Sequence, residues 1–356
     1  MRVGIVAANN IRYSPYIFFY TEILKKIDVE YELIIADRYG LKENFDSVVH
    51  VLPWDHSQKT IVNYLKYTSN VKAIIQKQQY DALIILTSVN AAFLGIWLKR
   101  HYKGRYIVDI RDYSHENIYP YFMLEKIAVQ NSLMNVISSR KFTEFLPQAE
   151  YSVCHNFNEN ARIVPCFQRS EGQITIGYVG GVSYVDQCKK LMALVVKDSR
   201  FKMEFFGTST KEEQMRRAID EFECDRIIFH GAYAAAEKES ILQKVDILFN
   251  AYGNGIPLLD CALSNKLYDS LIYKKPILTC PGTYMTEMAG PLAYPIDLER
   301  ENSLDALYDW YMRIDGHAVE TFAANVLNSI FRENSTTKER IAVQLMTLNN
   351  KKGLIK

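Results

Sequence analysis

The sequence predicts an α/β protein with two doubly wound parallel sheets, one in each half of the chain. Three observations carry this prediction. Short apolar runs alternate with helical stretches through the first 155 residues, the pattern lapses into the polar segment Cys166–Gln173, and a fresh alternation begins at Ile174. A chain of 356 residues is also long for one domain, and two of about 150 to 200 residues are the natural division.

In the first half, Val3–Ala8 is apolar throughout, as in a parallel strand buried on both faces, and a helix follows from Ser14 to Lys26. Further strand runs are Glu32–Ala36, Ser47–Leu52, Ala82–Leu86, Tyr106–Asp109, Asn135–Ser138 and Tyr151–His155. Helical stretches lie between them near Lys59–Gln78, Asn90–His101, Tyr119–Asn131 and Lys141–Leu146. In such sheets ligands sit beyond the carboxyl ends of the strands. Those ends carry Asn9, Asn10 and Arg12, then Thr87, Ser88 and Asn90, then Arg111, Asp112 and His115, a polar crescent over an apolar sheet. The window Tyr13–Tyr20 is the most aromatic, and Phe18, Phe19 and Tyr20 cannot all face one side of a helix, so at least one ring is exposed or at an interface.

In the second half, Ile174–Val179 is the opening strand, Gly180-Gly181-Val182-Ser183 the turn and Gln187–Lys197 the helix. Strand runs follow at Lys202–Phe206, Arg226–Phe229, Asp246–Ala251 and Pro276–Cys280, and helices at Ser303–Met312, Ala318–Arg332 and Thr336–Asn349. The last helix has no strand after it, so it is expected to lean back to the first domain. The expected domains are 1–167, 168–334 and a crossover helix over 335–356.

Composition excludes several classes. A net charge of +1 gives no bulk electrostatics for nucleic acid. Cys154, Cys166, Cys188, Cys224, Cys261 and Cys280 show neither a C-x-x-C pair nor a His at metal spacing, so no metal site and no disulfide framework is expected. Met1-Arg2 runs straight into a strand and no run of about 18 apolar residues occurs, which points to a cytoplasmic protein. The basic stretch Lys99–Arg105 is a solvated helix end or a peripheral contact with anionic lipid at the inner face of the membrane.

The sharpest local signal is Ser264–Leu278. Ser264 is a helix N-cap, Leu263, Leu267 and Leu271 recur at helical spacing, and Lys274-Lys275-Pro276 closes the helix before a short strand. The first turn offers backbone N–H groups beginning at Asn265 and a positive dipole end, with Lys266 in it and Asp269 three residues on, along the same face. A phosphate fits the first and a ribose diol the second. The plainer readings are a solvated cation at Lys266 and an i+3 partner at Asp269.

Together these residues resemble the GT-B glycosyltransferases, in particular the retaining family 4 of surface polysaccharide biosynthesis, capsule included. Ile174–Gly181 is similar to the strand and glycine turn that open that family's donor domain, and Asn265-Lys266-Leu267-Tyr268-Asp269 with Lys274-Lys275-Pro276 to its nucleotide-binding helix. Val108-Asp109-Ile110-Arg111-Asp112 and Val136-Ile137-Ser138 are similar to its acceptor-domain signatures. The resemblance implies two Rossmann-like domains and a hexosyltransferase-type enzyme. A nucleotide diphosphate sugar, UDP-sugar favoured, is then a substrate rather than a cofactor, and the acceptor is a saccharide or lipid-linked. The sequence departs from the family in two places. Cys261 stands where the first of two glutamates is usual, with Asp269 at the second, and the loop after Gly181 lacks the diphosphate-clamping Arg and Lys, Lys189 and Lys190 being displaced.

The donor is therefore expected on Gly180, Gly181, Asn254, Gly255, Asn265, Lys266 and Asp269. Asp112 and His115 are the catalytic expectations, Asp112 as a strand-end carboxylate able to accept the acceptor's proton, and Asn9, Asn10, Arg12 and Arg111 belong to the acceptor side. An Arg111–Asp112 ion pair is the structural alternative. If the reaction is retaining, the donor phosphate can take the proton and neither residue need be a base. Asp-x-Asp, the metal-ligating pattern of the other glycosyltransferase fold, does not occur. A non-catalytic nucleotide-sugar-binding protein and a nucleotide-sugar epimerase remain the alternatives.

Overall fold

A computed structural model describes residues 1–353 apart from 158, 160 and 165. Two compact units make up the chain, Met1–Asn156 together with the chain from Arg332 onward, and Phe157–Phe331.

The first unit is one seven-stranded sheet: β1 (Arg2–Ala7), β2 (Glu30–Asp37), β3 (Val49–Pro53), β4 (Ala82–Leu86), β5 (Tyr106–Ile110), β6 (Met134–Ile137) and β7 (Ser152–Val153). Their order is β3-β2-β1-β4-β5-β6-β7 and every pairing is parallel, with Ile5 opposite Leu33 on one side and Ile84 on the other. The helices are α1 (Tyr16–Lys26), α2 (Thr60–Gln78), α3 (Ser88–His101) and α4 (Tyr119–Gln130). β4 is buried at every residue, which is why its sequence is an unbroken apolar run. α3 and α4 pack backbone to backbone, because a Cβ on Gly95 would stand 2.6 Å from the Leu124 carbonyl oxygen. In the aromatic window, Phe18 is 49% exposed and Tyr20 fully buried, as a helix face requires.

The second unit has six strands, β8 (Ile174–Val179), β9 (Phe201–Phe206), β10 (Ile227–Gly231), β11 (Ile247–Phe249), β12 (Ile277–Thr279) and β13 (Ala293–Pro295). They lie in the order β10-β9-β8-β11-β12-β13, again all parallel. The helices are α5 (Val185–Lys197), α6 (Glu212–Asp220), α7 (Lys238–Lys244), α8 (Pro257–Cys261), α9 (Asn265–Tyr273), α10 (Tyr284–Ala289), α11 (Ser303–Met312) and α12 (Gly316–Gly353). In both sheets the strand order reverses once, between β1 and β4 and between β8 and β11, and the loops leaving those strands border the crevice where such folds take ligands. The predicted α/β class with two doubly wound parallel sheets is thus what the chain adopts.

The C-terminal region differs from expectation in one respect. The sequence pattern predicts two helices, Ala318–Arg332 and Thr336–Asn349, whereas α12 runs unbroken for 38 residues. The apparent break is Asn334, a polar residue on the buried stripe that includes Leu327, Ile330, Ile341 and Leu345. Its amide accepts from the His155 N–H at 2.7 Å and donates to the His155 carbonyl at 3.2 Å, while Thr337 Oγ1 donates to the Val153 carbonyl at 2.6 Å. Asn334 is a satisfied buried polar group rather than a helix stop. Beyond it, Ile341 and Leu345 join the core of Val3, Ile5 and Ile84, so the end of the chain returns to the first unit. The segment read as a helix over Lys141–Leu146 is a short 3-10 turn, Arg140–Glu144.

Candidate nucleotide-binding site

In the second unit three adjacent strand ends meet at glycines. Gly180 and Gly207 follow β8 and β9, and Gly231 ends β10; all three have φ between 83° and 126°. Gly180 N–H donates to the Phe206 carbonyl at 2.9 Å and Gly207 N–H to the Gly231 carbonyl at 2.7 Å. A Cβ on Gly207 would lie 1.9 Å from the Gly180 oxygen, so the turn closes only with glycine there. The Tyr178 hydroxyl braces the same turn, donating to the Gly181 carbonyl at 3.2 Å and accepting from the Ser183 N–H at 3.1 Å.

α9 points its first turn toward this region. Ser264 caps it, its hydroxyl accepting from the Lys266 N–H at 3.3 Å and bonding the Asn250 side chain at 2.6 Å. Asn265, the first helical residue, is exposed, whereas Lys266 is 8% exposed. The Lys266 ammonium lies 4.8 Å from the ring centre of Tyr178 and 5.4 Å from that of Tyr252, and a Cβ built on Gly180 would be 3.5 Å from it. Among the described residues it has no hydrogen-bond acceptor and no ion-pair partner. Two aromatic faces offer a cation partial compensation, about 0.5 to 2 kcal/mol each, against a larger desolvation cost. Burial accordingly pulls the Lys266 pKa down to about 8, with Asp269 opposing and Lys238 adding to the shift.

Asp269 is also buried, but it faces Lys238, whose ammonium donates to Oδ1 at 2.6 Å. Burial raises its pKa and Lys238, then Lys266, pull it back. Lys238 has no motif around it and lies 31 residues from Asp269, so nothing in the sequence announced it. Tyr178 and Tyr252 are likewise residues that strand periodicity alone reads as core.

The remaining donor-side expectations are placed less directly. The loop after Tyr252 has Gly253 at φ 111° and Gly255 at φ 84°. Asn254 donates its amide to the Pro281 carbonyl at 2.9 Å, and Gly255 N–H bonds Asp260 at 2.9 Å, so Asp260 acts as a loop brace. Cys261 is buried. Lys189 and Lys190, the displaced loop cations, pair with Glu221 at 2.7 Å and with Glu299. Lys274 and Lys275 are buried, Lys274 donating to the Leu271 carbonyl at 2.8 Å at the far end of α9.

In the first unit the polar crescent divides into braces and open groups. Asn10 is fully buried; its amide donates to Asp37 at 2.9 Å and Glu43 at 3.2 Å and accepts from the Arg38 N–H at 2.8 Å. The Asn9 side chain accepts the Asn10 N–H at 2.9 Å. Arg12 has an exposed side chain and its backbone N–H bonds Glu43 at 2.7 Å. Arg111, expected on the acceptor side or paired with Asp112, instead grips Asp109 with Nε at 2.5 Å and Nη2 at 2.7 Å, and gives Nη1 to the Cys154 carbonyl at 2.7 Å. Arg111 is the first residue past β5 and lies two positions from Asp109, the spacing at which side chains of an extended chain share a face. Tyr20 completes the Asp109 site with a hydroxyl donated at 2.6 Å. Asp112 is thereby left exposed and outside the pair, with the surrounding protein raising its pKa by desolvation against the pull of Arg111. His115 is exposed, edge-on to the Tyr121 ring at 5.5 Å.

Among the described residues no group of three or more His, Cys, Asp and Glu side chains is placed to hold a metal, and no helix is long and apolar enough to cross a membrane.

No protein-family model matches the chain, and no curated protein matches it in sequence. Solved structures match in fold. Sucrose-phosphate synthase from Thermosynechococcus elongatus is 12% identical at a TM-score of 0.70, with the whole of both chains covered. WaaG, a glycosyltransferase involved in lipopolysaccharide biosynthesis, is 11% identical at 0.67, over 96% of this chain and 98% of its own. Anabaena HepE in complex with UDP is 12% identical at 0.66, over 98% and 100%. A putative UDP-N-acetylglucosamine 2-epimerase from Listeria monocytogenes is 10% identical at 0.59, over 91% and 90%. Likeness at this identity carries architecture and not reaction. The chain has the GT-B fold, two Rossmann-like domains in one polypeptide.

Proposed function

We propose that this protein is a glycosyltransferase that moves a sugar from a nucleotide diphosphate sugar, a UDP-sugar in the first instance, to a saccharide or lipid-linked acceptor in surface polysaccharide assembly. The observation that carries the reading is the Lys266 ammonium, buried and without an acceptor, beside the Gly180 turn at the start of a capped helix. Such an arrangement suits a diphosphate: the Gly181 and Asn265 N–H groups, the Gly180 N–H being taken by the Phe206 carbonyl, supply fixed dipoles and Lys266 the charge. In glycosyl transfer these same groups stabilise the leaving nucleoside diphosphate as its bond to the anomeric carbon breaks. With charge supplied this way the reaction is assigned as metal-independent. Asp269 then reads the ribose diol, and Asn254, Gly255, Gly181 and Asn265 line the donor.

Asp112 is assigned to the acceptor hydroxyl, with His115 as second choice; its exposed place just past the end of β5 suits a group that meets an acceptor. If the reaction retains configuration, as the resemblance to family 4 implies, the donor phosphate oxygen takes that proton and Asp112 steadies positive charge on the sugar. The neighbours that carry UDP or glycosyltransferase in their descriptions support the reading at the level of fold. The paired Lys189 and Lys190 and the buried Cys261 favour one alternative, a protein that binds the nucleotide sugar without turnover. Purified protein incubated with a panel of UDP-, GDP- and other nucleotide sugars separates the two. Release of nucleoside diphosphate or transfer to an acceptor supports the enzyme, and nucleotide binding with neither supports the binding protein.

A further inference from the structure

On and beside α9 the Lys266 and Lys238 ammonium groups both lie near the Asp269 carboxylate. Asp269 stands three residues after Lys266 on α9, within ordinary i,i+3 reach, and a buried carboxylate beside a buried ammonium is expected to pair with it. It does not. Asp269 Oδ1 takes the Lys238 ammonium at 2.6 Å, and Lys266 lies over the rings of Tyr178 and Tyr252 instead. Lys238 is the first residue of α7, its side chain 36% exposed against 9% for Asp269, so it enters from the solvent edge.

We propose that Lys238 is a positioning residue: by pairing with Asp269 it keeps that carboxylate off Lys266 and leaves the Lys266 ammonium open to a diphosphate. This rests on the nucleotide-sugar reading of the site. The other titratable groups facing the three are Cys188, Tyr178 and Tyr252 around Lys266, and Tyr233 and Tyr273 around Asp269. Burial raises the pKa of every one of them, so all five are neutral near pH 7 and the partition of charge is decided by Lys238, Asp269 and Lys266 alone. Without Lys238, Asp269 turns to Lys266, the other cation acting on it among the described residues, and the phosphate-binding charge is neutralised from within.

The test uses the full chain labelled at lysine Cε and followed by NMR through a pH titration, with Lys266→Arg to assign the resonance. In Lys238→Met the Lys266 titration moves up from about 8 toward or beyond its ordinary 10.5. In the same variant the ratio of uridine to UDP dissociation constants falls about tenfold, the loss expected when a charge-assisted bond is pre-empted. Lys238→Arg keeps the wild-type ratio. Adding Asp269→Asn to Lys238→Met removes the competing carboxylate and restores it, which also shows that the single variant is folded. A Lys266 titration unmoved in Lys238→Met overturns the proposal. Absence of any UDP binding by wild-type protein overturns the nucleotide reading, and the lysine titration still decides the charge partition.

Discussion

Lys266 makes its role measurable through pH. Its pKa is about 8 in the folded chain because burial disfavours the ammonium, against an ordinary value of 10.5. A bound diphosphate supplies the missing counter-charge and returns the group toward its ordinary value. At pH 7 the amine is already protonated and binding takes up little; at pH 9 about nine-tenths of it is neutral, so binding takes up nearly one proton and is about tenfold weaker than at pH 7. The terminal phosphate, with a second pKa near 6, is already about nine-tenths ionised at pH 7 and adds little to this difference. Isothermal calorimetry of UDP in two buffers of different ionisation enthalpy gives the proton count directly. Lys266→Met abolishes both the uptake and most of the affinity. The sign for stability is opposite: a lysine held below its unfolded value costs the fold about 3 kcal/mol below pH 8, and the cost fades as pH rises toward 10.5. Lys266→Met is therefore more stable than wild type at pH 7, by an amount that shrinks above pH 8. Proton uptake absent at pH 9, or persisting in Lys266→Met, refutes the reasoning.

Asp269→Asn weakens UDP binding by about 1 to 3 kcal/mol through loss of a charge-assisted hydrogen bond, and unchanged calorimetric affinity removes the ribose assignment. Gly207→Ala drives a Cβ against the Gly180 carbonyl and costs about 2 to 4 kcal/mol in urea unfolding, whereas Gly40→Ala, with nothing within 4 Å, serves as the control for positive φ alone. Glu125 is fully buried, has no partner for either carboxyl oxygen, and is pushed up to about 9 by burial and by Glu116. An acid raised in this way costs stability once pH exceeds its unfolded value, so Glu125→Gln stabilises the fold by about 3 kcal/mol at pH 7 and by little near pH 4.5, read from urea midpoints at the two values. Asp112→Asn lowers turnover about 100-fold with donor affinity unchanged; full turnover assigns the proton to the donor phosphate.

The sheets were legible because both of their faces are covered: Val3–Ala7 and Ala82–Leu86 read as apolar runs for the same reason that they are buried. The helix cap at Ser264 was legible because capping is local. What escaped is what tertiary contacts decide. Arg111 chose Asp109 over its neighbour Asp112 because side chains two positions apart on an extended chain share a face, and the supposed helix break at Asn334 is an amide satisfied by His155, a partner 179 residues away. Lys238 meets Asp269 only because α7 and α9 pack side by side, which no local pattern encodes. Short helices such as α6, α7 and α8 carry too few turns for periodicity to separate them from loops.

The most direct test of the central claim, that Lys266 and the start of α9 read a diphosphate, is calorimetric titration of the wild-type chain with UDP and with uridine at pH 7. A charged hydrogen bond and a helix end together favour UDP by at least about tenfold, and most of that preference is lost in Lys266→Met, which leaves the helix end alone. Equal affinity for the two ligands, or a preference undiminished by the substitution, contradicts the claim.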